Sequence, residues 1–160
     1  MRNYEFPKLN AADLPLLERW FRLAHVRVWW PDTVKQLTMM EKDLDNSQID
    51  MRLVTLNGHP FAYIHDHDAR AFTIPQYGDL PAGARVMATF VGDSDFNGQD
   101  HPPSYIAARL RQLRLQYPLV AVGPNTTDTR AIATDVKAGF LKRRLAPTKD
   151  GKLVQVMTHL

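Results

Sequence analysis

The sequence predicts an α/β (α+β) fold, a mixed central sheet of about six to seven strands flanked by about four helices. Three observations lead there. Apolar periodicity alternates along the chain in the order strand, helix, helix, strand, strand, strand, helix, strand, helix, strand, strand. Two turn signals, Asn57-Gly58 and Lys149-Asp150-Gly151, each separate two strand-like runs. Leu119–Val122 is short and wholly apolar, as befits a strand buried on both faces.

Each element has a local reason. Residues 3–9 read as a short strand. Asp13 can cap a helix whose first turn holds Pro15, where a missing N–H costs little. Leu17, Trp20, Phe21 and Ala24 then share one helical face. A second helix runs from about Thr33 to Leu44, with Leu37, Met40 and Leu44 inward. Residues 51–56 alternate as a strand, and Phe61 to His67 returns after the Asn57-Gly58 turn. Residues 68–83 form a long connection with Pro75, Gly78, Pro81 and Gly83, of a length often tied to function. Arg85 to Gly92 is a strand with few charges, and Pro102 to Tyr117 is a helix burying Ile106, Leu110 and Leu113. A helix from about Thr127 stops at Gly139, a suitable residue for a left-handed cap. Two strands close the chain.

Bulk properties exclude more than they assign. The chain has 160 residues, expected to form one domain over 1–160, with 44% hydrophobic and 23% charged residues. A formal net charge of +3, from 20 basic and 17 acidic residues, does not call for a nucleic acid partner. The arginine clusters Arg109, Arg111, Arg114 and Lys142-Arg143-Arg144 read as solvated faces or as contacts for a phosphate. Zero cysteines exclude disulfides, thiolate catalysis and Cys-ligated metal, and fit a cytoplasmic setting. No signal peptide is expected from the polar start after Met1, and no apolar run approaches the ~18 residues that span a bilayer. A monomer or a homodimer is expected, with an edge strand or the Trp29-Trp30 surface as the dimer face.

The pairing of Thr129-Arg130-Ala131-Ile132 with Lys137-Ala138-Gly139-Phe140 carries a resemblance. Together with Asp13-Leu14-Pro15-Leu16-Leu17, His25-Val26 and Trp29-Trp30, it resembles the acetyl-CoA-dependent GNAT N-acetyltransferases. The nearest branch holds the aminoglycoside 6′-N-acetyltransferases and the siderophore acyltransferases, and the resemblance covers essentially the whole chain. It implies a GNAT fold, acetyl-CoA as co-substrate, and a small-molecule amine as acceptor.

Holding acetyl-CoA requires a strand that offers backbone groups to the pantetheine arm and a helix N-terminus that offers N–H groups to the pyrophosphate. The resemblance places the first at Phe90, Val91 and Gly92. It places the second at the turn from Gly98 and Gln99 through His101 to Ser104, with Asp128 and Arg130 also on the cofactor side. Asp100 stands where the family has its second glycine and Pro102 where it has its third. A carboxylate repels a pyrophosphate, and Pro102-Pro103 removes two backbone donors from the helix end. Asp128 replaces a family asparagine and equally suits a helix N-cap.

Acyl transfer to an amine needs a base for the ammonium proton and an acid for the leaving thiolate. In register with the family, the acid tyrosine falls on Asp135, for which an exposed aspartate is the plain alternative reading. The family's acidic substrate anchors fall on Ala88 and Gly123, neither of which is acidic, which argues against a polycationic aminoglycoside. His65 and Asp66, in the run His65-Asp66-His67-Asp68, are candidates for a general base, with a hydrogen-bonded strand end as the alternative; no third ligand accompanies the two histidines for a metal. Trp29 and Trp30, with Tyr63 and Asp66, are the expected acceptor-side residues. A non-catalytic, partner-binding GNAT-like module is the competing expectation.

Overall fold

The computed structural model describes residues 2–160. Seven strands hydrogen-bond in the order β1-β2-β3-β4-β5-β7-β6. They are β1 (Tyr4–Glu5), β2 (Ile49–Leu56), β3 (His59–Asp68), β4 (Arg85–Val91), β5 (Val120–Val122), β6 (Leu141–Pro147) and β7 (Leu153–His159). The helices are α1 (Leu14–Phe21), α2 (Ala24–Arg27), α3 (Thr33–Asp43), α4 (His101–Arg114) and α5 (Thr129–Ala138). The mixed sheet and the element order agree with the sequence reading. The added element is α2, too short to show a helical period. Among the described residues, no helix is long and apolar enough to cross a membrane.

The chain condenses into two compact units, and β3 and β4 each contribute residues to both. The first unit runs to His65 and takes in Thr89–Gln99. Asn10 caps the approach to α1 in a reciprocal box with Asp13, so Asp13 serves the turn before the helix rather than the helix itself. Asp32 caps α3 by accepting from Lys35 N–H at 3.1 Å. The β2–β3 turn puts Asn57 at φ 53° and Gly58 at φ 79°, the two positive values that a tight hairpin needs. Its core gathers Leu17, Trp20, Phe21, Val26, Met40, Leu53, Tyr63 and Phe90. The Trp20 ring lies directly on Gly92, where any β-carbon would collide with it.

The second unit comprises Asp66–Ala88 and Asp100–Leu160. Its strands place Val122 opposite Met157, and Ala121 opposite Thr158. β4 pairs with β5 in parallel at Arg85↔Val120 and Val86↔Ala121. One cluster of this unit gathers Tyr77, Leu80, Ala84 and Val86 from the 68–86 stretch with Leu119, Ala121, Ala146, Val154 and Val156 of the sheet. The long connection predicted at residues 68–83 is therefore packed, not loose. Arg144 pins it by donating to Gln76 O at 2.7 Å and to Asp79 Oδ1 at 2.6 Å.

Candidate active site

Asp135 lies in the last turn of α5 and is buried, 8% exposed. That corrects the reading of an exposed helix aspartate. Its carboxyl forms no hydrogen bond or ion pair among the described residues. Burial pushes its pKa from 3.8 up to about 7, and the like charge of Asp128 adds to the rise. Its place near the negative end of the helix works in the same direction. A carboxyl that is half protonated near neutrality can give up a proton there.

Tyr77 is buried beside this system. Its phenol pKa is pushed up, first by burial and then by the charge of Asp135. Gly123 follows β5 directly, and a β-carbon on it would collide with the Tyr77 hydroxyl. The missing anchor carboxylate at 123 thus has a steric reason, since the phenol occupies that space. Ala88, the other anchor position, is half-buried.

The start of α4 keeps part of the expected form. Gln99 and Asp100 are both left-handed, with φ of 59° and 60°, a conformation natural to glycine. The Asp100 carboxylate is paired with Lys137 of α5 at 2.5 Å, so its repulsive charge is offset. Donors are nevertheless scarce, because Pro102 and Pro103 have no N–H and Ser104 gives its own to Asp100 O at 3.2 Å. His101, expected on the cofactor side, is buried, 6% exposed, which corrects the picture of an accessible imidazole. Ser104 is half-buried, while Gly98 and Arg130 are exposed. Asp128 acts as the N-cap of α5, accepting from Ala131 N–H at 3.1 Å.

Asp66 is not placed as a base or a substrate anchor. It is 2% exposed and held by two guanidiniums. Arg85 reaches its Oδ2 at 2.9 Å and 2.7 Å, and Arg109 reaches its Oδ1 at 3.3 Å. Arg85 also covers the Tyr117 ring at 4.7 Å. This ion-pair cluster corrects both roles expected of Asp66, because both carboxylate oxygens are already engaged. His67 is buried, and desolvation lowers its pKa. Among the described residues, no three His, Asp or Glu side chains group as metal ligands.

In the first unit, the acceptor-side candidates split. Trp30 packs edge-on to Tyr63, His65 and Phe90 at ring distances of 6.0, 5.8 and 5.2 Å. The Tyr63 hydroxyl and His65 Nδ1 share a hydrogen bond at 2.8 Å. His65 remains half-exposed, whereas Trp29 is 42% exposed and stands apart from that cluster's listable ring contacts. At the end of β4, the backbone is partly committed. His25 meets Val91 O at 3.0 Å, and Gly92 N–H donates to Phe61 O at 2.9 Å. Phe90–Gly92 therefore does not present all its backbone groups open, contrary to the expectation. His25, Tyr77, Lys137 and the Arg85–Arg109 pair are the residues that the sequence did not assign. Tyr77 had a signal in the long connection, but its partner Gly123 is distant in sequence.

A hollow of about 360 Å³ floored by Leu80, Leu119 and Val156 opens in the second unit, beyond the start of β5. Arg143 and Arg144 stand at its rim, and no residue assigned to the site lines it.

The fold has solved counterparts. An uncharacterized protein from Bacillus halodurans superposes with TM-score 0.89 at 17% identity, over 98% of this chain and 83% of that one. Aminoglycoside acetyltransferase AAC(6′)-Ib, solved with coenzyme A and kanamycin, gives TM-score 0.81 at 19% identity, over 98% and 94%. Aminoglycoside N(6′)-acetyltransferase from Legionella pneumophila gives 0.81 at 19% identity, over 97% and 90%. No curated protein matches the sequence. The profile of the acetyltransferase (GNAT) domain family matches residues 10–147. With most of its length in that match and a seven-stranded mixed sheet of the same architecture, the chain belongs to the GNAT acetyltransferase family.

Proposed function

We propose that the chain is an acyl-CoA-dependent N-acetyltransferase that uses acetyl-CoA to acylate a small-molecule amine other than an aminoglycoside. The amine lone pair attacks the thioester carbonyl, the C–N bond forms, the C–S bond breaks, and the thiolate takes a proton. Asp135 is the residue assigned to give that proton. The observation that carries the reading is its buried, unpaired carboxyl at the family's acid position, with a pKa pushed up to about 7. His65, half-exposed and oriented by Tyr63, is the candidate to receive the ammonium proton. Family membership and the coenzyme A bound in the AAC(6′)-Ib structure support the donor. Gly123 and Ala88, which carry no charge, support an acceptor that is not a polycation.

The test is the thermal midpoint with acetyl-CoA and with free CoA, followed by thiol release against an amine panel. Ligand at ~100 times its dissociation constant stabilises the native state by ~2.7 kcal/mol, several degrees for a domain of this size. With an accepted amine, Asp135→Asn lowers kcat by about 10²–10⁴. A second reading, a non-catalytic binding module, is favoured by the donor-poor start of α4 and the occupied Val91 carbonyl. No midpoint shift at millimolar acetyl-CoA would select it.

A further inference from the structure

We infer that Tyr77 is the positioning partner of Asp135: its hydroxyl, seated against Gly123, is the donor that receives the Asp135 carboxylate once its proton has left. The inference rests on the acyl-transfer reading of Asp135. Three observations support it. Tyr77 and Asp135 are both buried in the same unit, and the only other residue that raises the Asp135 proton affinity is Asp128, a like charge that cannot donate. The carboxyl has no hydrogen-bond donor at rest, so an ionised form would be stranded without one. The Tyr77 hydroxyl has no room on its Gly123 side, since that glycine already touches it.

The chemistry needs such a donor. When Asp135 passes its proton to the thiolate sulfur, the S–H bond forms and a carboxylate is left inside the protein. A buried anion is tolerated only when hydrogen-bonded. The phenol suits the task because it keeps its own proton: burial and the Asp135 charge both push its pKa up. In the resting state the two groups are not bonded, so the hydroxyl rotates toward the carboxylate or reaches it through one water. The other groups near this region do not substitute. Lys137, one turn from Asp135, is turned to Asp100. His159 of β7, beside Gly139, bonds Arg114 at 2.8 Å, and desolvation lowers its pKa. Of the inward side chains of α4, Arg109 is held by Asp66 and Gln112. His101 and Tyr105, also buried on α4, do not figure among the causes of the Asp135 shift.

The experiment follows the Asp135 carboxyl directly, with ¹³C-labelled aspartate and an NMR titration of the full chain, without ligand. Asp135→Asn assigns the resonance. The variants are Tyr77→Phe, which deletes the hydroxyl and keeps the ring, and Gly123→Ala, which displaces the hydroxyl and keeps it. Both variants are expected to raise the Asp135 midpoint by about one pH unit, because each removes the donor that favours the charged form. Unchanged midpoints in variants whose spectra show an intact fold would overturn the inference. Should Tyr77→Phe not fold, Gly123→Ala alone decides. Acetyl-CoA binding is scored separately by the thermal midpoint, so failure of the acyl-transfer reading is distinguishable from failure of the Tyr77 assignment.

Discussion

Asp66 and Asp135 are both buried aspartates of the same unit, yet their surroundings are opposite. Asp66 receives three hydrogen bonds from Arg85 and Arg109 at 2.7–3.3 Å. Asp135 receives none, and its nearest listed charge is another carboxylate. The first arrangement holds β3, β4 and α4 together within the second unit, because each guanidinium there depends on the carboxylate between them. The second serves no packing purpose that an alanine would not serve as well. A buried charge with partners is a structural clamp, and a buried acid without them is poised for proton transfer.

Removing each carboxyl separates the two roles. Asp66→Ala strands two guanidiniums and should cost about 3–5 kcal/mol of stability at any pH from 5 to 9, read by urea unfolding. A loss under 1 kcal/mol would mean that the arginines find other partners.

Asp135→Asn should behave differently, through pH. The folded pKa of Asp135, about 7, exceeds its unfolded value of 3.8. Between those values the folded chain holds one proton more than the unfolded chain, so stability declines as pH rises. The contribution is intact below about pH 4 and is lost as pH passes through about 7, with a total of at most roughly 4 kcal/mol. The difference between wild type and Asp135→Asn should slope across that window; a flat difference would show that the carboxyl is solvated.

The smallest effect should come from the like charge that assists Asp135. Asp128→Ala removes the N-cap of α5, at a cost of ~1 kcal/mol. It should also lower the Asp135 midpoint slightly, since Asp128 is one of the two causes of its rise. A midpoint that rises instead would contradict the electrostatics described above.

The fold was legible because its signals are local. Asn57-Gly58 states its hairpin in two residues, and Gly139 at φ 117° ends α5 where the pattern stops. Register with the family also led to Asp135. What sequence could not give was burial. One turn of helix looks alike whether its aspartate faces water or the interior, and only the packing around α5 decides. The same holds for Asp66, whose two arginines lie 19 and 43 residues away along the chain. Pro102-Pro103 did announce a donor-poor helix start, because proline lacks an N–H wherever it sits. That Lys137 would offset Asp100 across 37 residues was not readable.

The contact between Tyr77 and Gly123 also orders the mutational routes open to this chain. A carboxylate at position 123 is barred while the tyrosine stands, because even one added carbon meets its hydroxyl. Tyr77 must first give way to a smaller side chain, and only then can an acidic residue be accepted. The acceptor preference is therefore entrenched: no single substitution at 123 restores an acidic anchor, and any lineage that regains one carries the record of an earlier change in the connection between β3 and β4.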